Sequence, residues 1–188
     1  MLLDATLNFV APGSPLSLVG GAGVSIPSTG IIDLLGLGVG VAPSERIIGL
    51  PQSGVFGEDA GIGGVKPQVQ VNIGTALAAV GGSTLNVAFQ GAPDQGAAGN
   101  YQPGTWQTFV ETGPMTAAQL AANAVCARFD FPPAFPPGAR PRYLRLLFSP
   151  STGGSFSAGT VSSAIVTMVR DDYAIKYAPA NFAVGATS

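Results

Sequence analysis

The stretch RYLRLLFSPSTGGSFSAGTVSSAIVTMV, from Arg142 to Val169, reads as strand, turn and strand. Leu144, Leu146 and Phe148 alternate with Tyr143, Arg145 and Leu147, and a period of two sends successive side chains to opposite faces of a strand. Beyond a turn in which Gly153 and Gly154 are free to take positive φ, Val161, Ile165 and Val169 oppose Ala164, Val166 and Met168. Neither strand of this expected hairpin has a cleanly polar face. A strand that is apolar on both sides must be covered on both sides, by a second sheet and then by a loop or a neighbouring subunit.

The same period recurs upstream. In VQVNI, Val69, Val71 and Ile73 face one way while Gln70 and Asn72 face the other; in TLNVAFQ, Leu85, Val87 and Phe89 oppose Thr84, Asn86, Ala88 and Gln90. Further short candidates are GIIDLL near Ile31, RIIGL near Ile47, TWQTFVE near Trp106 and NAVCARFDF near Val125, which brings the total to about eight. Each is bounded by Gly, Pro or Ser, and strands in succession without intervening helices predict an antiparallel sandwich or barrel. One or two helical turns are expected only at MTAAQLAAN, where Thr116 and Gln119 have capping-box spacing. The runs VAPGSPLSLVGGAGVSIPS, PQSGVFGEDAGIGG and GAPDQGAAGNYQPG are loops by their Gly and Pro content. No internal repeat is visible, and the length fits a single domain over residues 1–188.

Charged residues make up 10% of the 188, against about 25% in an average soluble domain. With 46% hydrophobic residues the chain is too apolar for a disordered one, so its uncharged surface must be covered by small polar residues or by other subunits. A net charge of −2 offers no field for a phosphate backbone, so no nucleic-acid partner is expected. The long uncharged runs Ala5–Ile32 and Pro67–Pro93 are too broken by Gly, Pro, Asn, Gln and Ser to span a bilayer, and no membrane partner is expected either. Asp4 and the lack of a basic n-region make the opening MLLDATLNFVAPGSP a poor export signal. A lone Cys126 forms no internal disulfide, and a reducing compartment is compatible with folding.

Chemistry is scarce. The chain has no histidine, which removes Ser-His-Asp and Cys-His catalysis and the commonest metal ligand, so neither an enzyme nor a cofactor is expected. Asp171 with Asp172, and Glu58 with Asp59, read as solvated turns in preference to metal or acid–base pairs. The glycine runs GLGVGVAPS and GIGGVKP lack the spacing of phosphate loops. Cys126 alternates with Arg128 and Asp130, and it is either a structural thiol or one whose pKa Arg128 lowers.

Four of the six arginines, Arg128, Arg140, Arg142 and Arg145, fall within 18 residues around the proline-rich FDFPPAFPPGARPRY. They either cap strand ends or dock a partner, with Arg140 and Arg142 as the expected outward pair. Tyr173, Tyr177 and Phe182 carry aromatic weight past the last strand, and they either dock on a partner or cover the chain's own sheet edge.

In order along the chain, MLLDATLNF, GIIDLLG, GTALAAVGGSTLNVAFQGAPD, TWQTFVETGPMTAAQLAA, RYLRLLFS and GSFSAGTVSSAIVTMVRDD resemble the pattern of the capsid cement (decoration) proteins of short-tailed bacteriophages. The chain departs from shorter members around 34–66, 91–104 and 132–137. The resemblance implies an all-β, jelly-roll-like antiparallel β-sandwich, a small homo-oligomer such as a homodimer, and a place on the outer surface of a virion assembled in the host cytoplasm. Its partner would be the major capsid protein, bound without cofactor or metal, and Arg128, Arg140, Arg142, Arg145, Tyr173, Tyr177 and Phe182 are the contact candidates. The alternative is a tail or fibre module that binds host carbohydrate, for which Tyr101 and Trp106 are the aromatic candidates.

Overall fold

A computed structural model describes residues 7–34, 67–97, 100–131, 133, 135–137, 139 and 141–168. The two strands of the quoted stretch are β10 (Tyr143–Pro150) and β12 (Thr160–Met168), and they do not form a hairpin. Each lies inside a different sheet, because the residues between them hold a further strand, β11 (Ser155–Ala158), which pairs with β6 (Ala78–Val80) and carries the chain across. Interior strands have neighbours on both edges and cover on their faces, which is why both read as apolar throughout.

The first sheet runs β1 (Asn8–Val10), β12, β5 (Pro67–Ile73), β9 (Val125–Asp130), with β2 (Leu16–Ser17) also pairing with β12. The second runs β3 (Ile26–Pro27), β10, β7 (Leu85–Ala92), β8 (Gln107–Glu111), with β4 (Ile32–Asp33) also on β10. All pairings are antiparallel. Taking β1 with β2, and β3 with β4, as one interrupted strand each leaves nested pairs: β7 with β8, β5 with β9, β3/β4 with β10, and β1/β2 with β12. Successive pairs alternate between sheets, and rolling them up sets β5 beside β12 and β7 beside β10. This is the connectivity of a jelly roll, an antiparallel β-sandwich as expected.

The core follows the period of two. Val69, Val71 and Ile73, then Leu85, Val87 and Phe89, then Leu144, Leu146 and Phe148, all face inward and are buried. Phe89 bridges the sheets, with its ring 5.5 Å from Phe9 edge-on and 6.0 Å from Phe129 in a stacked arrangement. Each such side chain removed from water contributes roughly 1.5–3 kcal/mol. In β12 the simple alternation fails: the register shifts between Val161 and Ser163, and the bulge puts Val161 on the core side with Ala164 and Val166, not with Ile165. The expected helix is a single 3-10 turn, Ala117–Gln119, in which Gln119 Oε1 accepts from the Thr116 N–H at 2.9 Å. It ends where the Leu120 carbonyl accepts from the Leu77 N–H and the Leu120 side chain enters the core.

The sandwich has two unlike ends. At one, the loops around 11–25, 74–84 and 150–160 meet: Gly23 N–H donates to the Gly154 carbonyl at 2.7 Å and Ser155 N–H to Ser83 Oγ at 3.0 Å. None of those loop residues is charged. At the other end, where β10 begins and β7 finishes, Asp33, Asp94 and Arg142 come together.

Candidate functional site

Arg142 precedes β10 at the charged end. Its N–H donates to the Ala92 carbonyl and its carbonyl accepts from the Leu34 N–H, so its backbone is fixed between β7 and β4. The side chain is only 6% exposed and lies in a cage. Nε donates to Asp33 Oδ1 at 2.9 Å, Nη2 to Asp33 Oδ2 at 3.0 Å, and Nη1 to Asp94 Oδ2. The guanidinium carbon is 4.2 Å from the Tyr101 ring centroid and 5.1 Å from that of Tyr143. A planar fork that meets one carboxylate with two parallel bonds is what arginine offers and lysine does not.

Asp94 is itself held. Its Oδ1 accepts from the backbone N–H groups of Gly96 and Gln102, and these bonds, the first foremost, together with Arg142 hold its carboxyl below the usual range against the opposing effect of burial. The Asp33 hydrogen bonds in turn hold Arg142 charged more firmly than a free guanidinium. The group therefore clamps three segments that are distant in sequence: β4, the β7–β8 loop and the start of β10.

A cleft of about 460 Å³ opens beside the clamp, lined by Ile31, Asp33, Asn100, Tyr101, Pro103, Arg142 and Tyr143. Tyr143 is buried, its hydroxyl has no hydrogen-bond partner among the described residues, and burial raises its pKa. Because Nε, Nη1 and Nη2 of Arg142 already donate to carboxylates, the cleft is poorly suited to an anion. What it presents to a ligand is ring surface and the polar groups of Asn100.

The arginines expected as one basic patch are separated by the fold. Arg142 is not outward-facing: its partners are carboxylates of its own chain, which corrects the expectation that it pairs with Arg140 toward a partner. Arg145 is half-buried, donates from Nε to Gln90 Oε1 at 2.9 Å and lies 4.1 Å from the Trp106 ring centroid; desolvation lowers its pKa. Arg128 is exposed on the outer face of β9, opposite Gln70. Arg140, Tyr173, Tyr177 and Phe182 lie outside the described residues, as do Glu58, Asp59, Asp171, Asp172, both glycine runs and the candidate strand near Ile47. Tyr101 and Trp106 each carry a guanidinium against the ring.

Cys126 is a structural thiol: burial pushes it up to about 12, and Arg128 does not offset this. Among the described residues no group of three or more Cys, Asp or Glu side chains could hold a metal ion, and no helix is long and apolar enough to cross a membrane. The residues that sequence reasoning missed are Asp33 and Asp94 as partners of Arg142. Only the Asp-Gln-Gly turn that orients Asp94 left a local signal. No family model matches the chain, and no curated protein matches it.

Proposed function

We propose that this protein is a capsid cement protein, binding the outer surface of a bacteriophage head and clamping neighbouring copies of the major capsid protein. The observation that carries the reading is the uncharged end of the sandwich. Val19, Val24 and Val80 are 51%, 53% and 51% exposed there, the first two on glycine-rich loops and the third at the end of β6, in segments that hydrogen bonds tie together and that carry no charged residue. An apolar, charge-free surface of this kind is stable when a partner covers it. The resemblance of the strand and turn pattern to cement proteins says what that partner is.

Binding is the whole mechanism. A protein that binds the assembled shell but not its loose subunits stabilises the shell by RT ln(1 + [L]/Kd), about 2.7 kcal/mol per site at a hundredfold excess over Kd. The hydrogen bonds between the loops hold them in place before docking, so less ordering entropy is lost on binding. Co-sedimentation of the purified chain with emptied heads of the phage that carries it tests the reading. The expected result is saturable binding and heads that resist heat better; heads that neither bind it nor gain stability would overturn it.

A second reading has an observation of its own. Asn100 and Tyr101, both exposed, line one cleft with Pro103 and Tyr143, and an exposed aromatic ring beside an amide suits a neutral sugar. Saturable glycan binding by the purified chain, lost in Tyr101→Ala, would favour a tail or fibre module instead.

A further inference from the structure

We infer that β9 is the edge through which two copies of this chain pair, antiparallel about a two-fold axis at Phe129, with Arg128 of each copy opposite Asp130 of the other. The inference does not depend on the capsid reading, because it concerns the isolated chain.

β9 ends the first sheet, with β5 on one side and no strand on the other among the described residues. The Phe131 N–H donates to the Pro67 carbonyl at 2.9 Å, and Phe129 and Ala127 are paired with Val69 and Val71. In an antiparallel ladder only alternate residues bond to a given neighbour. Phe131, Phe129 and Ala127 therefore turn their backbone groups toward β5, while Arg128 and Asp130 turn theirs to the open edge. An open edge of regular strand is a template for another strand.

The other edges are blunted. β1 has three residues, and β2, β3 and β4 have two each. The β7–β8 pairing is broken by a register shift opposite Phe89 and Gln90. β9 has six residues; its own register shift, between Val71 and Asn72, falls at its Cys126 end, and from Ala127 to Asp130 it runs in unbroken register with β5, a longer regular run than either half of β8 has with β7.

Charge then selects the occupant and the register. Arg128 and Asp130 are exposed, two residues apart on the outer face, and neither has an ion-pair partner among the described residues. The edge groups come from even-numbered residues, so an incoming copy must place even opposite even. One such register sets Arg128 opposite Asp130 twice and closes four backbone hydrogen bonds. A slip of two residues one way sets Arg128 against Arg128, and a slip the other way sets Asp130 against Asp130 and Arg128 against Pro132, which has no N–H. Like charges directly opposite are destabilising, so a second copy fits one register best. The result is one continuous sheet across the dimer, with the uncharged loop ends of both copies left open.

The test uses sedimentation of the full chain at micromolar concentration. The wild type is expected to be a dimer. Arg128→Asp and Asp130→Arg each face like charge with like in that register, and each should raise the dimer Kd at least tenfold while circular dichroism stays that of the wild type. Mixing these two folded variants should restore a dimer, now of one copy of each. The first variant carries aspartate at both positions and the second carries arginine at both, so every cross-edge pair then joins opposite charges. A wild type that is monomeric, single variants that dimerise as the wild type does, or a mixture that stays monomeric would each overturn the proposal.

Discussion

Arg142 shows how one residue type can be read in two ways from sequence and in one way from structure. As the middle of a basic run it reads as a surface cation; in the fold it is a buried fork with two carboxylates. Breaking a pair of this kind leaves carboxylates desolvated without a counter-charge, which is worse than never having had the pair. Arg142→Lys keeps the charge but loses the two parallel bonds to Asp33, and it should lower stability by roughly 1–3 kcal/mol, read as an earlier melt with the far-ultraviolet spectrum unchanged. The pH dependence follows from Asp94. Its folded pKa lies below its ordinary value of 3.8, so the folded state binds its proton less readily than the unfolded chain does. The stability it confers is fully present above 3.8 and is lost as pH falls below that value through the folded pKa. Asp94→Asn removes this linkage. Melting curves of the two proteins should differ at neutral pH and converge on acidification; a gap that persists in acid would show that Asp94 acts through packing and not through its charge. None of this was legible beforehand, because Arg142 meets Asp33 across 109 residues and Asp94 across 48, and no local pattern encodes such a pairing.

At the scale of elements, legibility depended on how strictly a strand alternates and how long it is. β5, β7 and the inner face of β10 were readable because each holds three inward apolar residues at a spacing of two. β12 was readable as a strand but not in its facing, since an extra residue at the bulge reverses parity and both faces are apolar, so the pattern gives no warning. β2, β3 and β4 are too short to show any period, and β11 hides inside a glycine-rich turn, which is why the sequence suggests a hairpin where the chain changes sheets. The proline-rich segment between β9 and β10 has a packing role that composition alone did not reveal. Phe135 lies 5.3 Å from Phe109 of β8, and the Phe109 ring rests on Gly91 of β7, where a Cβ would overlap it and would also press on Pro141. A glycine inside a strand marks such a close approach. Gly91→Ala should displace that ring and with it the contact to Phe135, at a cost of roughly 1–3 kcal/mol, measurable in thermal melts. Phe135→Ala, which removes only the half-exposed outer partner, should cost less; equal losses would mean that Phe109 simply moves aside for the new methyl group.

Across the described part of the molecule, the loops at one end of the sandwich carry no charge, while exposed apolar side chains occur at both ends, Ile31 and Tyr101 beside the clamp and Val19, Val24 and Val80 at the uncharged end. At the charged end Arg142 is held between Asp33 and Asp94, while at the other end Val19 and Val24 in loops and Val80 in β6 stand exposed on segments that contain no charged residue. A contact made through the valine end draws its free energy from apolar burial, which salt does not screen. A contact made through arginines would weaken as the Debye length shrinks from about 10 Å at 0.1 M to about 3 Å at 1 M salt. Binding to heads should therefore change little over that range. Val24→Asp with Val80→Asp places two charges in the contact at positions that are half exposed in the free chain, so melting temperature should hold while affinity falls at least tenfold, the loss of about 1.4 kcal/mol that one decade represents. The replacement of both by Thr keeps β-branched shape without charge and should give an intermediate loss. If instead binding collapses at high salt and the aspartate variant binds as well as the wild type, the docking surface lies elsewhere. Arg128, the exposed arginine of β9, would then be the first side chain to replace.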